Sequence, residues 1–169
     1  MVKNIWEMNW NEKKDFVETE IRGKVITMSV DIEFSLLAIM MYCSPEPYNQ
    51  QREFRNMMMG GKIKNTVADL KKYKNAYFVR YECELDKLEE FRIVRNDFAH
   101  HTLEFHEEGN LRKFRIRYID LVEGKEHFHY KDYELDYLQD YVKRCRALNL
   151  VLAQLVEELR EDFVKNHKT

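Results

Sequence analysis

Apolar residues recur every three or four positions along most of this chain, the spacing with which a helix buries one face. The sequence SPEP, Ser44–Pro47, ends the longest of these stretches, because proline cannot continue the hydrogen-bond ladder of a helix. The pair Gly60-Gly61 predicts a second break. Five helices are predicted from the pattern, at 11–43, 48–59, 62–73, 83–100 and 133–164.

Before the last predicted helix the period changes from helical to alternating. Residues 102–130, TLEFHEEGNLRKFRIRYIDLVEGKEHFHY, alternate apolar and polar side chains, with turn signals at Glu108-Gly109-Asn110 and at Glu123-Gly124. This alternation predicts a small antiparallel meander of about three strands. The predicted fold is therefore mainly α, an antiparallel helical bundle in which a small antiparallel β meander, about 102–131, is inserted before the last long helix.

The last predicted helix carries a seam of apolar residues from Leu135 to Phe163, at alternating spacings of three and four. Such a seam is typical of one helix of an antiparallel bundle, and a homodimer would produce the same pattern. Asn149 is the one polar residue in the seam, and we interpret it as an amide that fixes the register.

Composition narrows the class of protein. With 169 residues, only 5 glycines and 2 prolines, the chain predicts a single helical domain, 1–169. The net charge of -2 gives no overall attraction to nucleic acid or membrane, so a polyanion would need a local basic patch. Asp31 and Glu33 interrupt the most apolar run, which disfavours a membrane span. Three scattered cysteines favour reduced thiols, and the N-terminus lacks the apolar core of a signal peptide, so we expect a cytoplasmic protein.

Candidate chemistry lies in FRIVRNDFAHH, residues 91–101. Arg95 falls in the middle of the apolar arc of its helix, whereas Arg92, Asn96 and His100 form a polar stripe along one edge of that arc. Five residues separate Arg95 from His100, so their backbones point about 140° apart and the side chains cannot stack as neighbours do. The arginine side chain is long enough, however, for its guanidinium to reach the same edge of the helix as the imidazole of His100.

A guanidinium on an apolar arc needs partners, since a buried lone charge costs several kcal/mol. Glu33 is likewise a carboxylate on the apolar face of the first helix. We therefore predict that Glu33 or Asp31 lies near Arg95 or Asn96. A buried pair that only fixes the register of the helices is the alternative.

Two further groups allow both a functional and an ordinary interpretation. His106, His127 and His129 share the alternation of the meander, but solvent-facing histidines are commoner than a metal site there, so no metal is predicted. The basic residues of the middle strand would either guide RNA phosphates or pair with Glu104 and Glu108 across the hairpin, and the pairing is slightly favoured. They are Arg112, Lys113, Arg115 and Arg117.

The segment Arg95-Asn96-Asp97-Phe98-Ala99-His100 resembles the signature of the HEPN superfamily, an arginine, often a polar residue next, and a histidine after four to six positions. The order of elements is also similar along most of the chain: the SVDIE segment 29–33, the stretch 54–73, the motif helix and a long closing helix. The meander is longer than in a minimal member, and His101 stands where a glycine often follows the histidine.

The resemblance implies a metal-independent endoribonuclease whose arginine and histidine meet at a homodimer interface, with no cofactor. RNA would be cleaved by attack of the 2′-OH, leaving 2′,3′-cyclic phosphate and 5′-OH ends. It also implies a possible toxin or phage-defence role beside a nucleotidyltransferase-type antitoxin. The alternative is a non-catalytic module that binds nucleotide, RNA or a protein partner. The predicted roles are catalytic for Arg95 and His100, supporting for Asn96, Glu33 and His101, and substrate-binding for Arg92, Arg115 and Arg117.

Overall fold

Six α-helices and one three-stranded antiparallel sheet are present in a computed structural model that describes residues 7–45, 47–108 and 111–166. The predicted mainly helical fold, with a small sheet before the last helix, is confirmed. A π-helical turn, Val17–Ile21, joins the first two helices. The elements are α1 Trp10–Phe16, α2 Arg22–Cys43, α3 Pro47–Asn56, α4 Met59–Tyr73, α5 Asn75–His100, β1 Thr102–Glu108, β2 Leu111–Val122, β3 Lys125–Tyr133 and α6 Leu135–Asn166.

The first predicted helix begins at a capping box. The side chain of Asn9 accepts a hydrogen bond from the Glu12 amide at 3.0 Å, and the Glu12 carboxylate accepts one from the Asn9 amide at 2.8 Å. These two bonds satisfy amides that a helix start otherwise leaves without partners. The helical path then runs through the π-helical turn to Cys43, where the SPEP sequence ends it as predicted.

The helical segment Trp10–Cys43 is long and apolar enough to cross a membrane, with a mean hydropathy of 1.6 in its most apolar window. Core helices of soluble proteins pass the same test, and 44% of that window is buried inside the protein. The absence of a membrane span and a cytoplasmic location stay predictions.

Gly60-Gly61 does not break a helix, so that prediction is wrong. α3 ends at Asn56 and α4 begins at Met59, which places both glycines in the first turn of α4. A Cβ at Gly60 would lie 3.3 Å from Cδ of Arg92, tighter than ordinary van der Waals contact. The glycine is therefore explained by the close approach of that side chain rather than by a turn.

Two other predicted boundaries are wrong. α5 begins at Asn75 rather than at residue 83, because Phe78 and Tyr81 are buried and continue the apolar side of Leu85 towards the N-terminus. Tyr133 belongs to β3 and not to the last helix, since it pairs with Phe114 in the sheet and is buried there.

Contacts within the chain divide it into two units. Unit 1 contains the residues up to Thr27 and Val94–Arg144, and unit 2 contains Met28–Ile93 and the residues from Cys145 onward. The expectation of one domain, 1–169, stays a prediction.

Unit 1 is built on the three-stranded sheet in the order β1-β2-β3. One face of the sheet is buried: Phe114 stacks on Trp10 at 5.8 Å between ring centroids, and Tyr133 packs on Phe98 at 5.7 Å. The predicted turn between β2 and β3 is confirmed, with positive φ at both Glu123 (53°) and Gly124 (75°), as the favoured two-residue hairpin requires. The predicted turn between β1 and β2 lies at residues outside the described part.

Unit 2 is helical, and partly buried ion pairs join helices that are distant in sequence. Lys62 on α4 pairs with Glu33 on α2 at 2.7 Å, and Lys74 pairs with Asp162 on α6. Five residues of the seam predicted for the last helix are buried, Leu138, Val142, Cys145, Leu152 and Leu159, and the other four are half-buried. Tyr141, Leu148 and Leu155 of α6 are also buried but lie outside the predicted seam.

Candidate functional site

Arg95 and His100 meet at the C-terminal end of α5, in unit 1. Nη1 of Arg95 lies 3.2 Å from Nε2 of His100 and donates a hydrogen bond to the side-chain oxygen of Asn96, also at 3.2 Å. Arg95 is half-buried, whereas His100, the last residue of the helix, is exposed. The guanidinium and the imidazole therefore meet at the exposed rim of the helix end, as the length of the arginine side chain allows.

The contact between Arg95 and His100 fits one tautomer of the imidazole. A guanidinium has donors and no acceptor, so a hydrogen bond between them requires Nε2 of His100 to accept. An imidazole that accepts at Nε2 carries its proton at Nδ1.

Nε of Arg95 is buried and, among the described residues, has no hydrogen-bond partner. A buried donor that stays unpaired costs about 1–3 kcal/mol, so such atoms are rare in native proteins. Because Nε is buried, a ligand at the rim would bind the terminal nitrogens of the guanidinium instead. An oxyanion is the ligand that guanidinium donors bind best.

His101, the second histidine, lies against the sheet. Its ring packs on Tyr118 of β2 at 4.4 Å between centroids, and its amide donates to the carbonyl of Asp97 at 3.3 Å. His101 is half-buried, and its predicted supporting role at the site stays a prediction.

The three predicted substrate-binding arginines each pair with a carboxylate of their own unit. Arg117 binds Glu104 at 3.0 Å, which is the pairing across the hairpin that the sequence slightly favoured over RNA binding. Arg115 forms two hydrogen bonds to Asp132, at 2.6 and 2.8 Å. Arg92 binds the Glu89 carboxylate in the same two-pronged way, at 2.9 and 2.5 Å. A substrate-binding role for these arginines stays a prediction.

Glu33 and Asp31, the predicted partners of the motif, have partners in unit 2. Glu33 accepts from Lys62 at 2.7 Å, and Asp31 accepts from the amide of Asn149 at 3.5 Å. Asn149, the polar residue of the seam, thus has a bonding partner. The expected support of Arg95 by Glu33 stays a prediction.

Asp97 is a residue of this region that the sequence reasoning missed. It is only 5% exposed, and its carboxylate accepts hydrogen bonds from two side chains of the sheet. The donors are Nζ of Lys131, at 2.9 Å, and the hydroxyl of Tyr133, both to Oδ2. An available signal was the position of Asp97 three residues after buried Val94 and next to buried Phe98, which places an acidic group on the apolar side of the helix.

The phenols of Tyr118 and Tyr133 are held in their protonated state. Burial is the main cause that raises the pKa of both phenols above the usual value, and the Asp97 carboxylate raises it further. At neutral pH both phenols are therefore protonated, and the hydroxyl of Tyr133 donates to Asp97.

Arg22, at the start of α2, is a second residue that the sequence reasoning missed. Its Nε donates to the carbonyl of Phe98 at 2.6 Å, and its Nη2 donates to the carbonyl of His101 at 3.0 Å. Carbonyls at a helix C-terminus lack partners within the helix, and a cation there also interacts favourably with the helix dipole. Arg22 thus supports the helix end that carries His100.

The other potential sites, a metal site, a histidine–aspartate pair and a cavity, do not include Arg95 or His100. In the described part of the chain, no group of three or more His, Cys, Asp or Glu side chains is arranged to hold a metal ion. His129 lies 3.3 Å from Asp120, with both side chains exposed. A cavity of about 300 Å³ in unit 2, lined by Met40, Phe54 and Asp69 among others, includes none of the predicted site residues.

Comparisons of the chain with protein-family profiles, with curated proteins and with solved structures gave no match.

Proposed function

We propose that this protein is a metal-independent endoribonuclease of HEPN type, with an HEPN-like helical bundle, and that it acts as a cytoplasmic homodimer. The observation that carries the proposal is the 3.2 Å contact between Arg95 and His100 at an accessible helix end. The proposal also rests on the resemblance of residues 95–100 to the HEPN signature. A toxin or phage-defence role, with a nucleotidyltransferase-type antitoxin as partner, belongs to the same proposal.

The phosphate would be bound by Arg95. A scissile phosphate at the rim accepts from the terminal nitrogens Nη1 and Nη2, two parallel donors of one planar guanidinium, whereas the buried Nε is not used. These bonds strengthen as negative charge builds on the phosphate oxygens, and they require no change in the protonation of the arginine.

His100 would transfer the protons. A neutral imidazole takes the proton of the ribose 2′-OH while the 2′ oxygen bonds to phosphorus, and an imidazolium gives a proton to the 5′ oxygen as its bond to phosphorus breaks. In a homodimer the two copies of His100 supply one base and one acid. The products are a 2′,3′-cyclic phosphate and a 5′-OH, and each proton removed is matched by one delivered.

Protonation links the two residues in this scheme. Neutral His100 accepts from Arg95, as in the structure, whereas imidazolium cannot. The form of His100 that acts as the acid therefore leaves Nη1 of Arg95 free to bind the phosphate.

The test is cleavage of a mixed-sequence RNA in EDTA. Wild type is expected to cleave and to leave cyclic-phosphate ends, and Arg95→Ala is expected to slow cleavage about 10²–10³-fold. His100→Ala removes the acid–base group, with an expected loss of about 10²–10⁴-fold. Arg160→Ala and His127→Ala, which change exposed residues distant in sequence from the motif, are the matched controls and should cleave like wild type.

Absence of cleavage by every protein, with folding verified by circular dichroism, would refute the ribonuclease proposal. The alternative, a non-catalytic module, then predicts that wild type binds a 2′-O-methyl RNA or a nucleotide and that Arg95→Ala weakens this binding. The ion pairs that engage Arg92, Arg115 and Arg117 favour this alternative over an enzyme that uses them for substrate.

A further inference from the structure

We propose that Asp97 is the positioning residue of the candidate site and that the sheet sets the geometry of Arg95 and His100 through it. This inference rests on the proposed function for its catalytic consequence, but the placement of the two side chains is testable without RNA.

The burial of Asp97 requires a dedicated set of partners. A carboxylate with 5% exposure is costly unless it is paired and hydrogen-bonded. Asp97 accepts from Lys131, which neutralises its charge, and from the hydroxyl of Tyr133, both at Oδ2. The sheet therefore supplies the partners that compensate for the burial of this carboxylate.

Both donors come from one face of the sheet. In the register of β2 and β3, Phe114 lies opposite Tyr133 and Ile116 opposite Lys131. Side chains two apart on a strand share a face, so both donors come from the face that carries buried Phe114 and Ile116. The meander thus holds α5 at the Asp97 carboxylate, beside the packing of Tyr133 on Phe98.

That point lies between the two residues of the site. Asp97 follows Arg95 by two positions and precedes His100 by three, and its own carbonyl accepts from the His101 amide at 3.3 Å. His100 is the last residue of α5, where a helix frays unless its end is held. The Arg95–His100 contact therefore depends on a turn that the sheet immobilises through Asp97.

Tyr118, on the same face of β2 as Phe114 and Ile116, extends this contact beyond the helix end. Its ring packs on His101 at 4.4 Å between centroids. The face of the sheet that holds Asp97 thus also contacts the first residue after α5. This gives the inserted meander a role in the site even though its exposed arginines are engaged in ion pairs.

The experiment compares wild type with Asp97→Asn by NMR of the full chain, labelled at histidine and arginine and free of RNA. In wild type, His100 is expected as the neutral tautomer protonated at Nδ1, and Arg95 Nε–H is expected to be protected from exchange. Asp97→Asn should give a mixture of His100 tautomers and faster exchange of Arg95 Nε–H. Tyr130→Phe, an exposed tyrosine of β3, is the control and should leave both signals unchanged.

The second part of the experiment measures RNA cleavage. Because a small misplacement of reacting groups costs about 100-fold in rate, Asp97→Asn is expected to lower kcat about 100-fold with KM unchanged. A folded Asp97→Asn protein that keeps the wild-type His100 and Arg95 signals would overturn the inference, even if its thermal midpoint falls, because Asp97 would then only stabilise the fold.

Tyr133→Phe serves if Asp97→Asn does not fold. It removes the hydroxyl donor to Asp97 and keeps the ring that packs on Phe98, so the same changes in the His100 and Arg95 signals are expected. Unchanged signals would again overturn the inference. If wild type cleaves no RNA, the proposed function fails, while the NMR comparison still decides whether Asp97 positions the two residues.

Discussion

Arg22 is predicted to support the helix end that carries His100 from the side of α2. We expect Arg22→Met to destabilise the protein, since the substitution keeps the aliphatic stem and removes both hydrogen bonds to the carbonyls of Phe98 and His101. Hydrogen bonds from a charged donor contribute about 1.5–3 kcal/mol each. Because both carbonyls are only partly buried and water replaces some of the loss, we expect a total of about 2–4 kcal/mol.

This free energy corresponds to a measurable shift. For a chain of this size, 1 kcal/mol lowers Tm by about 2–4 °C, so Arg22→Met should lower it by about 4–16 °C. Urea denaturation followed by circular dichroism measures the same loss as a lower midpoint. Hydrogen exchange should also accelerate at the amides that follow Phe98, because the last turn of α5 opens first.

Two comparisons test the reasoning. Arg160, an exposed arginine paired with Glu157 three residues earlier on α6, should cost less than about 1 kcal/mol when replaced by methionine. Arg22→Lys keeps a charge but not the two-pronged geometry, so its stability should lie between those of wild type and Arg22→Met. If Arg22→Met is no less stable than Arg160→Met, the helix end does not depend on Arg22.

Two further predictions concern titratable groups. The Arg115 guanidinium, through its hydrogen bonds, holds the pKa of Asp132 below its usual value, so that carboxylate stabilises the fold at neutral pH and this contribution is lost as the pH falls below about 4. The urea midpoint should therefore fall in acid by less in Asp132→Asn than in wild type, and equal falls would contradict the assignment. Burial raises the pKa of Cys43 to about 12, whereas Cys83 is exposed. Iodoacetamide at pH 8 should modify Cys83 first, as peptide mass spectrometry would show, and equal labelling of Cys43 would contradict its burial.

The parts of the fold that the sequence predicted are those determined by local signals. The period of three and four residues identified the helices, and proline at 45 and 47 marked the end of α2. The change to alternation at 102 identified the sheet, and Glu123-Gly124 identified its second turn because few residue pairs adopt positive φ together. Each of these signals acts within a few residues of the structure it specifies.

The boundaries that failed depend on packing between distant segments. Gly60 is a point of close approach for Arg92, 32 positions later, and a glycine pair read in isolation looks the same as a helix break. Tyr133 ends a strand because Phe114 lies opposite it, although its spacing also fits the helix that follows. In both cases tertiary contact determined a role that the local pattern left ambiguous.

The candidate site likewise contains residues that the local sequence identified and residues that only the tertiary structure brings to it. Arg95, Asn96 and His100 were identifiable because they lie within six residues of one helix. The groups that hold this helix end lie 34 to 79 positions away along the chain: Lys131 and Tyr133 act on Asp97, and Arg22 acts on the carbonyls. A short motif therefore identifies the reacting groups but not the frame that holds them. It follows that the distance between Arg95 and His100 should be more sensitive to changes in α2 and the sheet than to exposed substitutions on α5 itself.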